Sequence, residues 1–206
     1  MLDIWGRTNS INVQKVMWAV AELGLDHVRH DAGGAFGVVG TDDYARMNPN
    51  RLVPTIRDGG FVLWESHAIV RYLAAKHDSG GLWPADIAVR ADSDRWMDWM
   101  ANTLNEPMRP VFWGLIRTPP EQRDDAAIAD GAKELAGAFS VLDAALDGRD
   151  FIAGDRLTMG DIPIGCAAYR YLALDIERPS FPNMEAWYAR LTERPAFRDH
   201  VMLPLT

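Results

Sequence analysis

Residues 51–66, RLVPTIRDGGFVLWES, constrain this chain more than any other stretch. Val53-Pro54 leads into a short β-rich run, Asp58-Gly59-Gly60 signals a turn, and Phe61-Val62-Leu63 is a second β-rich run. The pattern predicts a hairpin. Pro54 has no N–H to give to a ladder, which places it at an edge or a turn. Glu65-Ser66 then stands directly before HAIVRYLAAKH, where Ile69, Tyr72 and Leu73 recur at helical spacing. Ser66 is of the N-cap type. A helix start with free N–H groups and a hydroxyl holds an anion, and a carboxylate one residue earlier holds a cation. The pair suits a zwitterion such as an amino-acid head group.

The rest of the chain reads in order. Leu2-Asp3-Ile4-Trp5 alternates like a strand. After a turn over 6–12, VQKVMWAVAEL places Val13, Val16, Met17 and Val20 on one helical face, and Gly24 is a stop. Residues 27–30 predict a second strand, AGGAFGVVG a loop, and 41–47 a short helix closed by Asn48-Pro49. With the hairpin and the helix from Ser66, the order is β-α-β-α-β-β-α, a small α/β unit with a mixed sheet ending near His77. DSGGLWP, 78–84, marks a boundary. Beyond it no strand is expected. A helix is predicted over 87–104, broken or kinked by Pro107 and Pro110. Helix resumes over 112–116 and restarts at Pro119-Pro120-Glu121, with a stripe of Ile128, Leu135, Phe139, Leu142 and Leu146. Asp124-Asp125 reads as an exposed helix start. Thr158…Asp161 resembles a capping box, with Leu157 and Ile162 as its hydrophobic staple. Pro163 is expected to bend the helix that follows. Pro182-Asn183 opens a last helix, ended by Arg194-Pro195.

Composition sets outer limits. The chain has 206 residues, 48% of them hydrophobic, and a net charge of −8. No basic cluster is evident, which argues against nucleic acid and anionic membranes. No apolar run approaches the length of about 20 residues a spanning helix needs. No signal-peptide core opens the sequence, and Cys166 is the only cysteine, a pattern that fits a reducing cytoplasm.

Asn48-Pro49, Val53-Pro54, Glu65-Ser66 and Ala68-Ile69…Tyr72-Leu73 together resemble the glutathione site of the soluble glutathione transferases. The resemblance covers the whole chain. It implies an α/β thioredoxin-like N-terminal domain, 1–77, a linker, 78–86, and an all-α helical C-terminal domain, 87–206, that contributes the co-substrate pocket. It also implies that Pro54 is cis, so that the backbone of Val53 pairs with the cysteinyl part of glutathione, while Glu65 and Ser66 grip the γ-glutamyl end. In the family the cap at Thr158…Asp161 organises folding. A homodimer is implied, with each site near the subunit interface. The segment before Val53 departs from the pattern: Arg51 and Leu52 stand where Gly and a polar residue are usual. Arg51 could take over a glutathione carboxylate.

The chemistry belongs at the other helix start, GRTNSINVQK. A free thiol, with a pKa of about 8.5, is mostly protonated at neutral pH, and the thiolate is the nucleophile. A hydroxyl aimed at the sulfur, at the positive end of a helix, favours the anion. The run Ser10-Ile11-Asn12…Lys15 resembles the serine-type members, the theta- and phi-like bacterial enzymes among them. Ser10 is the expected thiolate donor and Asn12 a second, with Thr8 an open alternative. No cysteine lies near this turn, so disulfide-exchange chemistry is not expected.

A hydrophobic electrophile would lie between domains, near Asn105, Met108, Arg109, Phe112 and Trp113, with Arg109 polarising a leaving group. Trp96 and Trp99 read as core or subunit interface. Gly34, Gly37 and Gly40 read as a flexible loop. His27 and His30 fall on opposite faces of a strand, and no metal is expected. The expected reaction is glutathione conjugation without a metal. Alternatives are a non-catalytic glutathione-binding or regulatory protein, or a glutathione-dependent peroxidase or dehalogenase.

Overall fold

The computed structural model describes residues 1–206. Four strands, β1 (Leu2–Trp5), β2 (His27–His30), β3 (Thr55–Asp58) and β4 (Phe61–Trp64), form one sheet in the order β2-β1-β3-β4. β1 and β2 are parallel and are joined through α1 (Ile11–Glu22). β1–β3 and β3–β4 are antiparallel. α2 (Asp42–Met47) precedes β3, and α3 (Ser66–His77) follows β4. This is the element order the sequence implies. α1 ends as expected: Gly24 adopts φ 61°, and the N–H groups of Gly24 and Leu25 return to the carbonyls of Ala21 and Val20. That is a Schellman closure, which glycine makes without a Cβ penalty.

Register decides which side chains meet. Ile4 lies opposite Ile56, and both are fully buried. They pack with Val13, Val16, Met17 and Val20 of α1 and Ile69 and Leu73 of α3 into a first core. The opposite faces of the same helices, carrying Trp18, Ala19, Val70 and Ala74, belong to a second and larger core with the helical half. α1 is therefore buried from Val13 through Val20. A helix apolar nearly all round has no solvent side.

The helical half contains α4 (Ile87–Trp99), α5 (Asn105–Phe112), α6 (Asp125–Ala145), α7 (Asp161–Ala173), α8 (Pro182–Thr192) and α9 (Pro195–His200). Several expectations change here. Pro107 and Pro110 do not break the helix: the chain stays helical to Arg117, with π turns at Met100–Leu104 and Trp113–Arg117 on either side of α5. Such widened turns are where a helix accommodates an interrupted bond ladder. Pro119-Pro120 opens only a 3₁₀ turn, and α6 starts at Asp125, where the Asp124 carboxylate accepts from the Ala127 N–H at 3.0 Å. Pro163 does not interrupt α7. It is the third helical residue, where an N–H would have no intrahelical acceptor. Pro195 starts a further helix rather than ending the chain's last one, in the first-turn position proline favours.

The box at Thr158…Asp161 closes on one side only. The Asp161 carboxylate accepts from the Thr158 N–H at 2.8 Å and its hydroxyl at 3.1 Å, but no hydroxyl of Thr158 caps the Asp161 N–H, which goes instead to the Thr158 carbonyl. Asp161 also accepts from the Ile152 N–H and from Trp187 Nε1, so one buried carboxylate ties α7 to α8 and to the loop before it. Burial pushes its pKa up, against the donors that lower it.

Candidate functional site

Ser10 occupies the N-cap position of α1 in extended conformation, and its side chain does not cap the helix. The residue is buried, yet its hydroxyl has no hydrogen-bond partner within the chain. It is left free to donate to a group arriving from outside. Asn12, the second residue of α1, does not cap either. Its Oδ1 accepts from Lys15 Nζ at 3.0 Å and from Ser66 Oγ at 3.3 Å. Two donors on the oxygen leave the Asn12 NH₂ as the group available to a ligand. The Ser66–Asn12 bond also joins the start of α3 to the start of α1.

Ser66 is not the cap of α3. Glu65 holds the N-cap place with φ 73°, and Ser66 is the first helical residue. A non-glycine residue in the left-handed region is uncommon and marks functional sites when the surroundings hold it there. The turn leaves the Glu65 side chain exposed and unpaired and swings the Ser66 hydroxyl inward. The Val53-Pro54 bond is cis. The N–H and C=O of Val53 make no hydrogen bond in the chain. The loop before it is fixed from α2. Buried Tyr44 donates its OH to the Leu52 carbonyl at 2.6 Å, and Asn48 Nδ2 reaches the same carbonyl at 2.9 Å and Thr55 Oγ1 at 3.1 Å. Leu52 itself points outward, 66% exposed. The Arg51 guanidinium is engaged with the carbonyls of Val39, Gly40 and Thr41 and faces Asp42. It pins the glycine loop rather than facing a free carboxylate.

Lys15 enters the sequence reading only as the end of the Ser10-Ile11-Asn12…Lys15 run, with no role assigned to it. It is fully buried, and its Nζ meets Asn12 Oδ1, His67 Nε2 at 3.0 Å and Met100 Sδ at 3.5 Å. An ammonium only donates, so His67 Nε2 accepts and its ring proton sits on Nδ1. Desolvation brings the Lys15 pKa down to about 8, with Cys166 and Glu65 pulling it up and Arg170 pushing it down. Desolvation, then the Lys15 charge, holds His67 down to about 2. Both point the same way: a cation on Lys15 and a neutral ring beside it at pH 7. This charge lies beneath both helix starts. Its sequence signals are its place in the Ser10-Ile11-Asn12…Lys15 run and a charge inside a mostly apolar helix.

Comparison with known proteins decides what such a pair of helix starts belongs to. Residues 9–76 match the family model "Glutathione S-transferase, N-terminal domain" and residues 104–195 match "Glutathione S-transferase, C-terminal domain". The chain belongs to the glutathione S-transferase family. It is 44% identical over 208 residues to glutathione S-transferase GstB of Escherichia coli, covering 100% of both chains. It is 32% identical to glutathione S-transferase 3 of Zea mays, covering 97% of this chain and 93% of the maize protein. Among solved structures it is similar to the theta class glutathione S-transferase from Xanthomonas axonopodis pv. citri with glutathione bound, at a TM-score of 0.96 and 46% identity, covering 100% of this chain and 99% of that one. A thioredoxin-like N-terminal domain followed by an all-helical domain is the fold of this transferase.

A cavity of about 490 Å³ opens beside the α1 start of the transferase, lined by Arg7, Thr8, Asn9, Phe36, Trp113 and Arg117 among others. Of the five residues expected around an electrophile, only Trp113 lines it. Met108 and Phe112 are buried in the large core, because the continuous helix turns their faces inward. Asn105 is exposed and donates back to the Ala101 carbonyl at 3.3 Å. Arg109 is exposed, its guanidinium carbon 5.9 Å from the Trp113 ring. Trp96 and Trp99 meet edge to face, Trp96 within the core. His27 and His30 make separate bonds, to the Leu25 carbonyl and to Asp3, and no three His, Cys, Asp or Glu side chains gather as metal ligands.

Proposed function

We propose that this transferase conjugates the thiol of glutathione to a small hydrophobic electrophile. The thiolate attacks, a sulfur–carbon bond forms, the leaving group departs with its electron pair, and the thiol proton passes to solvent. Ser10 Oγ–H donates to the sulfur, and the Asn12 NH₂ is the second donor. The positive end of α1 and the Lys15 charge below favour the anion. Glu65 takes the γ-glutamyl ammonium, and the first free N–H groups of α3 take its carboxylate. The unpaired backbone of Val53 meets the cysteinyl unit as an added strand would. Arg51 acts at one remove, through the loop it pins, and Leu52 offers no polar grip.

The Ser66–Asn12 hydrogen bond carries this reading, because it brings both helix starts to one place. The unpartnered hydroxyl of Ser10, on an otherwise buried residue, supports catalysis over a purely binding role. Family resemblance supports a homodimer acting in the cytoplasm. Sedimentation of the purified protein tests the first, and fractionation of cells tests the second. The reaction itself is tested by conjugation of glutathione to 1-chloro-2,4-dinitrobenzene. Ser10→Ala should lower kcat/KM by about 10²-fold, the scale of one lost oxyanion donor. Glutathione binding with no turnover in the wild type would leave a binding protein. Undiminished turnover in Ser10→Ala would move the sulfur contact to Asn12 or Thr8.

A further inference from the structure

Two arginines line the cavity at the start of α1 and a third bonds to its Asn9 carbonyl, and none of them is paired with a carboxylate side chain. Arg7 and Arg117 line it. Arg170 lies just below, donating Nη2 to the Asn9 carbonyl at 3.0 Å, with its Nε buried and unpartnered. Arg117 and Arg170 both face the Phe112 ring, at 5.2 and 4.1 Å, and Arg117 also faces Trp113 at 4.9 Å. The guanidinium of Arg7 makes no hydrogen bond within the chain and packs along the backbone of Gly33 and Gly34. Desolvation and then the Arg7 charge depress the pKa of Arg117. Arg170, drawn down by burial to about 10, is also opposed by Arg117 and Arg7. The three cations therefore repel one another, with main-chain oxygens and no carboxylate side chain to offset them, in a protein whose net charge is −8. A cluster of like charges that lacks a carboxylate side chain favours an anion in the cavity it lines.

One internal oxygen shows how the site receives such a group. The Thr206 main-chain oxygen accepts from Nε and Nη2 of Arg117, at 3.2 and 3.0 Å, and Thr206 Oγ1 accepts from Asn9 Nδ2 at 2.7 Å. Nη1 of Arg117 and the Arg7 fork make no hydrogen bond within the chain, and both residues line the cavity. Phe36, 54% exposed, and Trp113, 50% exposed, supply apolar walls at the same mouth.

Resting on the transferase reading above, we propose that the electrophile of this enzyme carries a carboxylate, which Arg7 and Arg117 bind while its apolar body lies against Trp113 and Phe36. The arginines set the electrophile's orientation and leave its reactive carbon toward the sulfur at Ser10. The glycine carboxylate of glutathione is the competing anion, and the test separates the two.

The probes are 4-(bromomethyl)benzoate and its methyl ester, which share a reacting carbon and differ in one charge. In each case the sulfur–carbon bond forms and bromide leaves with its electron pair. Wild-type kcat/KM should favour the carboxylate by about tenfold or more after correction for the uncatalysed rates. In Arg117→Gln, and more fully in Arg7→Gln/Arg117→Gln, that ratio should fall at least fivefold. The ratio cancels any general damage done by the substitutions. A wild-type ratio near one, or a ratio unmoved in the double variant, overturns the inference while leaving conjugation intact. So does a raised KM for glutathione with an unmoved ratio, which would give the arginines to the tripeptide. No turnover of either probe overturns the parent reading, and this one with it.

Discussion

Lys15 Nζ and His67 Nε2 stand 3.0 Å apart, and no carboxylate is bonded to either. A fully buried ammonium held by an amide oxygen, an imidazole and a thioether is costly to the fold and reports its cost as a pH dependence.

The first prediction concerns Lys15. Its pKa is 10.5 unfolded and about 8 folded, so the unfolded chain binds more protons between those values. Stability contributed at this site is therefore lowest below pH 8 and recovers as pH rises toward 10.5. The full deficit is roughly 3 kcal/mol at about 1.4 kcal/mol per unit. Lys15→Met should remove that dependence. In urea unfolding at pH 7.5 and pH 10, the stability gap between variant and wild type should shrink by roughly 2 kcal/mol at the higher pH. The same variant should raise the pKa of enzyme-bound glutathione, read from thiolate absorbance, by about one unit.

His67 acts on the other side of neutrality. Its folded pKa is depressed from 6.5 to about 2, so below pH 6.5 the unfolded chain takes a proton that the folded one refuses. Stability should fall with falling pH at up to about 1.4 kcal/mol per unit from this ring alone. His67→Gln keeps an acceptor for Lys15 but does not titrate. Its stability between pH 6.5 and 4 should decline less steeply than that of the wild type.

Asn12 and Ser66 should prove coupled. Ser66→Ala is expected to weaken glutathione binding about tenfold, and Asn12→Ala to lower kcat/KM by more than that. Because the two side chains share a hydrogen bond, the double variant should lose less than the product of the single losses. Strictly multiplicative effects in steady-state kinetics would mean that the two helix starts act independently.

Gly165 sits where α7 crosses Trp18. A Cβ there would lie 2.8 Å from Trp18 Cζ3 and 2.9 Å from Leu191 Cδ1. Gly165→Ala should destabilise the protein by about 1–3 kcal/mol, the cost of overpacking a filled core. Calorimetry of the purified variant should show the lowered Tm, with little change in kcat for the molecules that remain folded.

Asp161→Ala would strand the N–H groups of Ile152 and Thr158 and Nε1 of Trp187. Each buried donor left without an acceptor costs about 1–3 kcal/mol, so a loss of at least roughly 3 kcal/mol is expected. Denaturant unfolding would register it. An unchanged midpoint would mean that α7 and α8 need no such tie.

Much of the fold was legible because its signals are local. Alternation in Leu2–Trp5, the Asp58-Gly59-Gly60 turn and the stop at Gly24 each announce themselves within a few residues. Prolines misled. The sequence reads Pro110 as a break or kink, Pro119 as a helix start, Pro163 as a bend and Pro195 as a stop, whereas position relative to a helix start decides whether a missing N–H matters. At the site, Ser10, Asn12, Val53, Glu65 and Ser66 carry signatures of residue type and spacing. The burial of Lys15 and the arginine cluster carry none. Lys15 is buried because a second domain covers α1, and Arg7, Arg117 and Arg170 come from segments more than fifty residues apart. Those are facts of tertiary packing, to which periodicity within one helix is blind.

α1 is walled in by both cores, and the Arg194 fork clasps Glu22 at its far end, at 2.7 and 2.6 Å. The consequence is that the sulfur-binding half is not a portable cassette. Residues 1–77 expressed alone would expose Trp18, Val70 and Ala74 and leave Lys15 without its roof at Met100. Any lineage or engineer wishing to graft this chemistry elsewhere must carry the helical half along with it.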